Sequence, residues 1–411
     1  MRIGFLFNHD QVHQVAHGLP IALALAKQRT GAEIIICSAN PRITSELRIL
    51  GGKAMGGELK MVELKLSNPL SRVANSIFGS FIPSNKLLIY RDNLDFFKSL
   101  DVLVVPEKTS LVLKRHFDLK DLKIIHTRHG AGDRAIGFDA ASGGFDHILA
   151  AGPKIRDRLV RDAGVAPDKI SVIGYPKFDL FPKPHDEPRL LQRRPIVLYN
   201  PHVAPHLSSW YKSGPAILRW FAANPSFQLI FAPHIMLFER RLVLTIQPPR
   251  VAWPGMVRQS SFNPNDILVD TQSRALTTME HLNRADIYLG DASSQVYEFL
   301  VEPRPCLFFN AHGFNWQDDP NFAHWHAGRV LNHVDELGGA LSQAFEDHER
   351  RYRAVQQDMV RQTFDLQSRS SSDRAAEVIM KVARAAGKKR RNPGPVRLAA
   401  KQKSLPRAAH S

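Results

Sequence analysis

The sequence is poor in cysteine and has no long apolar run, and each absence excludes a class of protein. Only Cys37 and Cys306 occur, far apart in apolar segments, so neither a disulfide framework nor a cysteine metal site is supported. The longest apolar stretch, around residues 19–26, is far shorter than the ~20 residues that a membrane-spanning helix needs. Because a strand-like run follows the first residue directly, no signal peptide fits. We predict a cytoplasmic protein.

Several nucleotide-binding and nucleophile motifs are also missing. No Gly-x-Gly-x-x-Gly follows the first predicted strand and no Walker-type loop occurs, which disfavours a Rossmann-type NAD enzyme and a P-loop NTPase. Gly-x-Ser-x-Gly is absent, so the sequence does not indicate an α/β-hydrolase. His9, His13 and His17 recur every four residues, but no carboxylate or cysteine joins them in a metal-ligand spacing. We predict no metal and no cofactor.

Positive charge is concentrated at one end of the chain. Lysine and arginine number 55 against 39 acidic residues, a net charge of +16, and half of this excess lies between Lys388 and Ser411. That segment contains prolines and no apolar periodicity, which predicts a disordered basic tail. The remaining body is only mildly basic, so we predict no nucleic-acid partner. The tail is either a solvated terminus or an attachment to the anionic inner face of the cytoplasmic membrane.

Short apolar runs typical of buried parallel strands alternate with helical patterns along the chain, which indicates an α/β fold. The alternation stops at 181–195, where prolines and charges are typical of a linker, and then restarts. We therefore predict two Rossmann-like domains, at 1–180 and 196–387, followed by the tail at 388–411. Ligands of such sheets bind beyond the carboxyl ends of the strands, so we expect the site in a cleft between the domains.

The first candidate cluster follows a predicted strand at 123–126. Arg128 and Arg134 could neutralise a phosphate, and Gly130 permits close backbone approach to a ligand. His129 is a candidate general base, because an imidazole titrates near neutral pH. The alternative is a turn with a solvated histidine. The concentration of these residue types at a strand end favours the functional interpretation.

Two further clusters follow strands in the second half of the chain. His234 comes after a predicted strand at 227–231, where a loop histidine without function is an equally good interpretation. The other cluster lies where the predicted strand 286–289 turns into a helix, and it contains Asp291, Ser293, Ser294 and Glu298. Backbone N–H groups and hydroxyls at such a helix start can bind an anion, and Glu298 could accept hydrogen bonds from a ribose diol. A serine–glutamate helix cap without function is the alternative.

Four segments, in this order, resemble the CDP-glycerol glycerophosphotransferase family, which builds teichoic-acid-like poly(glycerol phosphate) polymers and has a GT-B fold. They are Thr127-Arg-His-Gly130, Gly174-Tyr-Pro-Lys-Phe-Asp179, Phe231-Ala-Pro-His234, and Gly290-Asp-Ala-Ser-Ser294 followed by Glu298. The resemblance covers about 127–310. It implies that the N-terminal domain binds the acceptor and that the C-terminal domain binds the nucleotide donor.

The resemblance also implies roles for the candidate residues. His129 would be the catalytic base, and His234 would contact the donor pyrophosphate or stabilise the leaving group. Ser293 and Ser294 would hold the pyrophosphate, and Glu298 would hold the ribose. The substrate-binding set would be completed by Arg128, Gly130, Arg134 and Asp291. The implied reaction transfers glycerol phosphate, or a related alditol phosphate, from a CDP-linked donor to a hydroxyl of a lipid-linked or polysaccharide acceptor of the cell envelope or capsule, and releases CMP.

Two other functions stay open. A GT-B nucleotide-sugar glycosyltransferase or a UDP-N-acetylglucosamine 2-epimerase-like enzyme would share the serine and glutamate element, and a preference for uridine nucleotides would favour it. A catalytically silent binding protein could keep the fold, although the presence of His129 disfavours it. The sequence does not identify the donor base, the acceptor or the oligomeric state.

Overall fold

A computed structural model describes residues 1–9, 11–68, 82–128, 130–132, 137–181, 194–246 and 248–391, and two parallel β-sheets dominate this part of the chain. The central strands of each sheet bury apolar side chains on both faces, because helices pack on either side. Four apolar clusters result, two around each sheet. The expectation of an α/β protein with two Rossmann-like domains is confirmed.

The N-terminal sheet has seven strands. They are β1 (Arg2–Phe7), β2 (Glu33–Ser38), β3 (Lys60–Glu63), β4 (Val102–Val105), β5 (Lys123–His126), β6 (His147–Ala150) and β7 (Ile170–Val172). Their order in the sheet is β3-β2-β1-β4-β5-β6-β7, and all neighbours are parallel. The parallel arrangement brings the segments that follow β1 and β5 to one edge of the sheet.

The C-terminal sheet has six strands, and a hairpin projects beside it. The sheet strands are β8 (Ile196–Asn200), β9 (Gln228–Phe231), β12 (Ile267–Val269), β13 (Ile287–Gly290), β14 (Cys306–Phe309) and β15 (Arg329–Leu331); the hairpin strands are β10 (Val243–Ile246) and β11 (Pro249–Ala252). The sheet order is β12-β9-β8-β13-β14-β15, all parallel, whereas β10 and β11 pair antiparallel. The segments that follow β9 and β13 therefore lie at one edge.

Helices cover both sheets. They are α1 (Val15–Lys27), α2 (Pro41–Gly51), α3 (Ile82–Asp92), α4 (Leu94–Lys98), α5 (Val112–Arg115), α6 (Pro153–Arg161), α7 (Lys177–Leu180), α8 (Trp210–Ala223), α9 (Glu280–Arg284), α10 (Gln295–Leu300), α11 (Leu337–Asp347), α12 (Arg353–Thr363) and α13 (Ser371–Arg391). A π-helical turn, His348–Tyr352, joins α11 to α12. Among the described helices, none is long and apolar enough to cross a membrane.

Helix α13 follows the C-terminal sheet in the sequence but packs on the N-terminal one. Its buried side chains Ala375, Ile379 and Ala383 share an apolar cluster with Leu19 of α1 and Ile3 of β1. The sequence analysis placed this helix in the C-terminal domain, but its periodic apolar stripe is buried against α1. We therefore propose the predicted division at 181–195 with α13 added to the N-terminal domain.

The predicted basic tail at 388–411 begins inside α13. The helix continues to Arg391, since nothing in Gly387-Lys-Lys-Arg-Arg391 interrupts it, and the first prolines come only afterwards. Residues 392–411 lie outside the described residues, as do residues 182–193 of the predicted linker.

The start of α13 is held by the segment that precedes the predicted linker. Asp179 accepts hydrogen bonds from the Ser372 N–H and hydroxyl at 2.7 and 2.6 Å. Gly174 has a left-handed φ of 85°, and a Cβ at this position would overlap the Ser371 hydroxyl and the Arg374 guanidinium. Part of the Gly174–Asp179 motif is thus required for docking α13.

Candidate functional site

A cleft of about 370 Å³ lies between the two domains, at the carboxyl ends of both sheets. Several predicted site residues line it, namely Arg128 and Gly130 from the N-terminal domain and His234, Ser293, Ser294 and Glu298 from the C-terminal domain. His129 and Arg134 lie outside the described residues. The position of the cleft agrees with the general location of ligand sites in doubly wound sheets.

The loop after β5 approaches the C-terminal domain closely. A Cβ on Gly132 would lie 2.9 Å from the Ser294 Cβ, and a Cβ on Gly130, where φ is 74°, would lie 3.8 Å from the Ser294 hydroxyl. Ala131, between the two glycines, is buried in an apolar cluster of the C-terminal domain. The glycines therefore permit the first predicted cluster and the helix-start cluster to face each other across the cleft.

Arg128 presents a partly desolvated positive charge to this cleft. One guanidinium nitrogen donates to the Gly137 carbonyl at 2.8 Å, and the guanidinium carbon lies 4.2 Å from the centre of the Phe138 ring. Burial, followed by the nearby Arg158, lowers the pKa of Arg128 to about 10, so it stays charged at neutral pH. A fixed, poorly hydrated cation of this kind is suited to an anionic ligand.

Ser293 and Ser294 precede the short helix α10. The Ser294 side chain makes no capping hydrogen bond with the helix, although Ser294 occupies the capping position. Ser293 accepts from the Gln295 N–H at 3.4 Å, a long contact. Ser294 therefore does not cap the helix through its side chain, and it lines the cleft.

Glu298 connects the two domains inside the cleft. One carboxylate oxygen accepts from the Tyr175 hydroxyl at 2.8 Å, and the other accepts from the Lys177 ammonium at 2.7 Å. The side chains of Lys177 and Glu298 are only 5% and 6% exposed. Burial and the Glu298 carboxylate raise the pKa of Tyr175 well above its usual range, so this hydroxyl stays a donor. Glu298, which the sequence predicts to bind the ribose, thus also forms an ion pair between the two domains.

Asp291 lies behind the cleft and is absent from its lining. Its carboxylate is fully buried and accepts from the backbone N–H groups of His202 and Ser209, at 2.8 and 2.6 Å, and from the Ser209 hydroxyl at 2.9 Å. Burial raises its pKa to about 6 in spite of these donors. Asp291 therefore holds the loop after β8 in place, which is a positioning role and differs from the substrate contact expected from the sequence.

His234 is one of three histidines grouped in the cleft. Its ring centre lies 5.7 Å from that of His202 and 6.2 Å from that of His13. Burial lowers the pKa of His234 to about 4, so the ring is neutral at pH 7. Its Nδ1 accepts from the Met236 N–H at 3.3 Å, which leaves the proton on Nε2. His234 can therefore donate one hydrogen bond to a ligand without carrying a charge.

Sequence reasoning missed part of the cleft. His202, Tyr175 and Lys177 line it, together with Gln14 and Thr277. A signal existed for Tyr175 and Lys177, because they lie inside the Gly174–Asp179 motif. His13 and His17 were discounted as metal ligands and do line the cleft. Among the described residues, no group of three or more histidine, cysteine, aspartate or glutamate side chains is arranged to hold a metal ion.

The two facing sheets and the cleft between them define a GT-B-type α/β protein. The chain is similar to the wall teichoic acid polymerase TagF, with 12% identity, 93% of this chain and 89% of that chain covered, and a TM-score of 0.57. A TagF variant soaked with CDPG gives 12% identity, coverages of 95% and 90%, and a TM-score of 0.56.

The UDP-GlcNAc 2-epimerase from Neisseria meningitidis, bound to UDP-GlcNAc, is similar to the same extent. Its identity is 14%, its coverages are 94% of this chain and 100% of that chain, and its TM-score is 0.55. No protein-family model matches the chain, and no curated protein matches it. Identities this low show a shared fold, and the function has to be argued from the site.

Proposed function

We propose that the protein is a transferase that moves glycerol phosphate, or a related alditol phosphate, from a CDP-linked donor to a hydroxyl of a cell-envelope or capsule glycan and releases CMP. The observation that carries the proposal is the convergence of Arg128, His234 and Ser294 on one interdomain cleft. The sequence resemblance and the fold shared with TagF, one structure of which was soaked with CDPG, support the choice of donor.

The proposed donor places its pyrophosphate between the two domains. Ser293 and Ser294 supply hydroxyl groups, and Arg128 supplies a positive charge from the opposite side of the cleft. The neutral His234 donates from Nε2 to an oxygen of the leaving phosphate. Phosphoryl transfer depends mainly on positioning and charge stabilisation, and these side chains from both domains would supply both.

In the proposed reaction, an acceptor hydroxyl oxygen attacks the β-phosphorus of the donor. A new phosphorus–oxygen bond forms while the bond from that phosphorus to the bridging oxygen breaks, and CMP leaves with the bridging oxygen. The hydroxyl proton passes to the imidazole of His129, which adjoins Arg128 and Gly130 in the chain. No metal or cofactor takes part in this proposal.

The test is CMP release from CDP-glycerol by the purified chain with glycan acceptors that end in a hydroxyl group. We expect His129→Ala to lower the rate by about 100-fold or more, the range for loss of a general base. The matched control is His116→Ala, which changes an exposed histidine of the same domain and leaves the rate unchanged. Absence of CMP release with every alditol donor tested would contradict the proposal.

The equal fold similarity to the Neisseria epimerase favours a second candidate, a GT-B enzyme that uses a UDP-sugar. The two candidates differ in the base that they recognise. Thermal unfolding with CDP-glycerol, CMP, UDP-N-acetylglucosamine and UMP distinguishes them, because a ligand that binds only the folded chain raises the melting temperature. A rise with uridine nucleotides alone would replace the first proposal by the second.

A further inference from the structure

A compact apolar surface protrudes from the C-terminal domain beside the cleft. Five large apolar side chains within fifteen residues are strongly exposed: Leu242 (54%), Leu244 (70%), Val251 (67%), Trp253 (69%) and Met256 (74%). We call this group the hairpin patch, since it lies on β10, β11 and their flanks. Large apolar side chains exposed singly are common on protein surfaces, but a contiguous group of them indicates an interaction site.

The strand register explains why four of these side chains, all except Met256, share one face. Leu244 pairs directly with Val251. Leu242 and Trp253 lie two residues away along their strands, just beyond the Val243–Ala252 pair, so their side chains point to the same face as those of Leu244 and Val251. Val243, between Leu242 and Leu244, points to the opposite face of the hairpin and is buried against the domain. A hairpin that covers a domain ordinarily turns its polar face outward. This hairpin turns an apolar face outward as well.

The base of the hairpin is anchored to the domain. The Trp210 indole donates to the Pro254 carbonyl at 2.8 Å, and Leu237, before β10, is fully buried. Val257 packs against the same apolar cluster. The hairpin patch is therefore attached to the domain core on both sides, and its apolar side chains are exposed in an ordered part of the structure.

The stretch of chain that carries the patch is basic, and Glu239 and Asp266 flank it. Residues 240–265 contain four arginines and no acidic residue. The arginines Arg240, Arg241, Arg250 and Arg258 are exposed, and none of them makes an ion pair with a described carboxylate. A segment that combines exposed leucine, methionine and tryptophan with exposed arginines has the composition of surfaces that insert into the headgroup region of anionic bilayers.

We propose that the hairpin patch docks the protein on an anionic lipid bilayer. The apolar side chains enter the interface between headgroups and acyl chains, and the four arginines contact lipid phosphates. The hairpin begins a few residues after His234 and Met236, which line the cleft, so docking there brings the cleft mouth close to the membrane. This inference concerns a surface separate from the basic tail and does not depend on the identity of the donor.

The experiment measures partitioning of the full-length chain onto vesicles of phosphatidylglycerol and phosphatidylcholine, with pure phosphatidylcholine for comparison. Trp253 is the most exposed tryptophan, so its emission is expected to shift to the blue on insertion. The double variant Leu244→Asp/Val251→Asp should weaken partitioning by about tenfold or more, because two exposed apolar side chains that enter the bilayer in the proposal are replaced by anions. Ile49→Asp, at an exposed position of α2, should bind as tightly as the wild type.

Three results would overturn the proposal. The first is a wild-type chain that fails to bind anionic vesicles. The second is a double variant that keeps the circular dichroism spectrum and the partitioning of the wild type. The third is a double variant that only converts an oligomer to a monomer in light scattering, which would assign the patch to a second copy of the chain. Trp253→Phe keeps vesicle binding and loses the emission shift if insertion occurs at this residue.

Discussion

Removal of the Glu298 carboxylate is expected to destabilise the protein strongly. In Glu298→Ala, the Lys177 ammonium and the Tyr175 hydroxyl both lose the acceptors that they contact at 2.7 and 2.8 Å. Because the side chains of Glu298 and Lys177 are almost fully buried, the variant leaves the Lys177 ammonium without a counter-charge inside the protein. Breaking a buried ion pair in this way costs about 3–5 kcal/mol in the free energy of unfolding.

The assay is equilibrium unfolding in urea, followed by fluorescence and by circular dichroism. Glu298→Gln/Lys177→Met removes both charges, so it should recover more than half of the loss seen in Glu298→Ala. Glu349→Gln breaks the exposed pair with Arg353 and should leave the unfolding midpoint unchanged. Glu349→Gln is the control because it also removes a carboxylate, but from an exposed ion pair.

A specific result would refute the argument. If Glu298→Ala unfolds at the same urea concentration as the wild type but no longer binds CDP-glycerol, then the carboxylate is not engaged by Lys177 and Tyr175 in solution. Its role would then be that of a ligand contact alone. If both stability and donor binding fall, and the double variant restores only stability, Glu298 has both roles.

Three further predictions follow from the cleft and the tail. Gly132→Val should lower CMP release by about tenfold or more, because its side chain would meet the Ser294 Cβ; Gly143→Val, where a Cβ meets nothing within 4 Å, is the control. As the pH drops from 6.5 to 4, the stability of the wild type relative to His234→Gln should fall by up to about 3 kcal/mol, since the unfolded chain protonates His234 before the folded chain does; the comparison with the variant is needed because the raised pKa of Asp291 shifts stability in the opposite direction in both proteins. Deletion of residues 392–411, which removes four basic residues, should weaken binding to anionic vesicles by about tenfold or more.

Each of these predictions has a contradicting outcome. Equal rates for the two glycine variants would show that the loop does not contact Ser294 during turnover. Equal pH dependence in the wild type and His234→Gln would show that His234 protonates normally in the folded chain. Unchanged vesicle binding after the deletion would identify the tail as a solvated terminus.

Most of the sheet architecture could be predicted from sequence because its strands are buried on both faces. The expected strand at 123–126 coincides with β5, the expected strand at 227–231 begins one residue before β9, and the linker position separates the two sheets. The hairpin β10–β11 was missed, because its apolar residues face outward and so break the expected link between apolar side chains and a core.

The site was predictable only to the level of strand ends. Arg128, His234 and Ser294 were selected because polar residues follow predicted strands, and parallel sheets bring such segments together. The partners of Glu298 could not be predicted, since Tyr175 and Lys177 are more than a hundred residues away and belong to the other domain. The burial of Asp291 could not be predicted either, because a carboxylate at a strand end can contact a substrate or can accept hydrogen bonds from nearby backbone N–H groups.

The return of α13 to the N-terminal domain has a consequence for how each domain could be produced alone. The chain crosses between the domains twice, between Phe181 and Arg194 and between Thr363 and Ser371. Asp179, just before the first crossing, is hydrogen-bonded to Ser372, just after the second. The two crossings therefore leave and rejoin the N-terminal domain at one place. The N-terminal half therefore cannot be produced as one continuous piece of chain without losing α13 from its core, whereas the C-terminal half is one continuous piece.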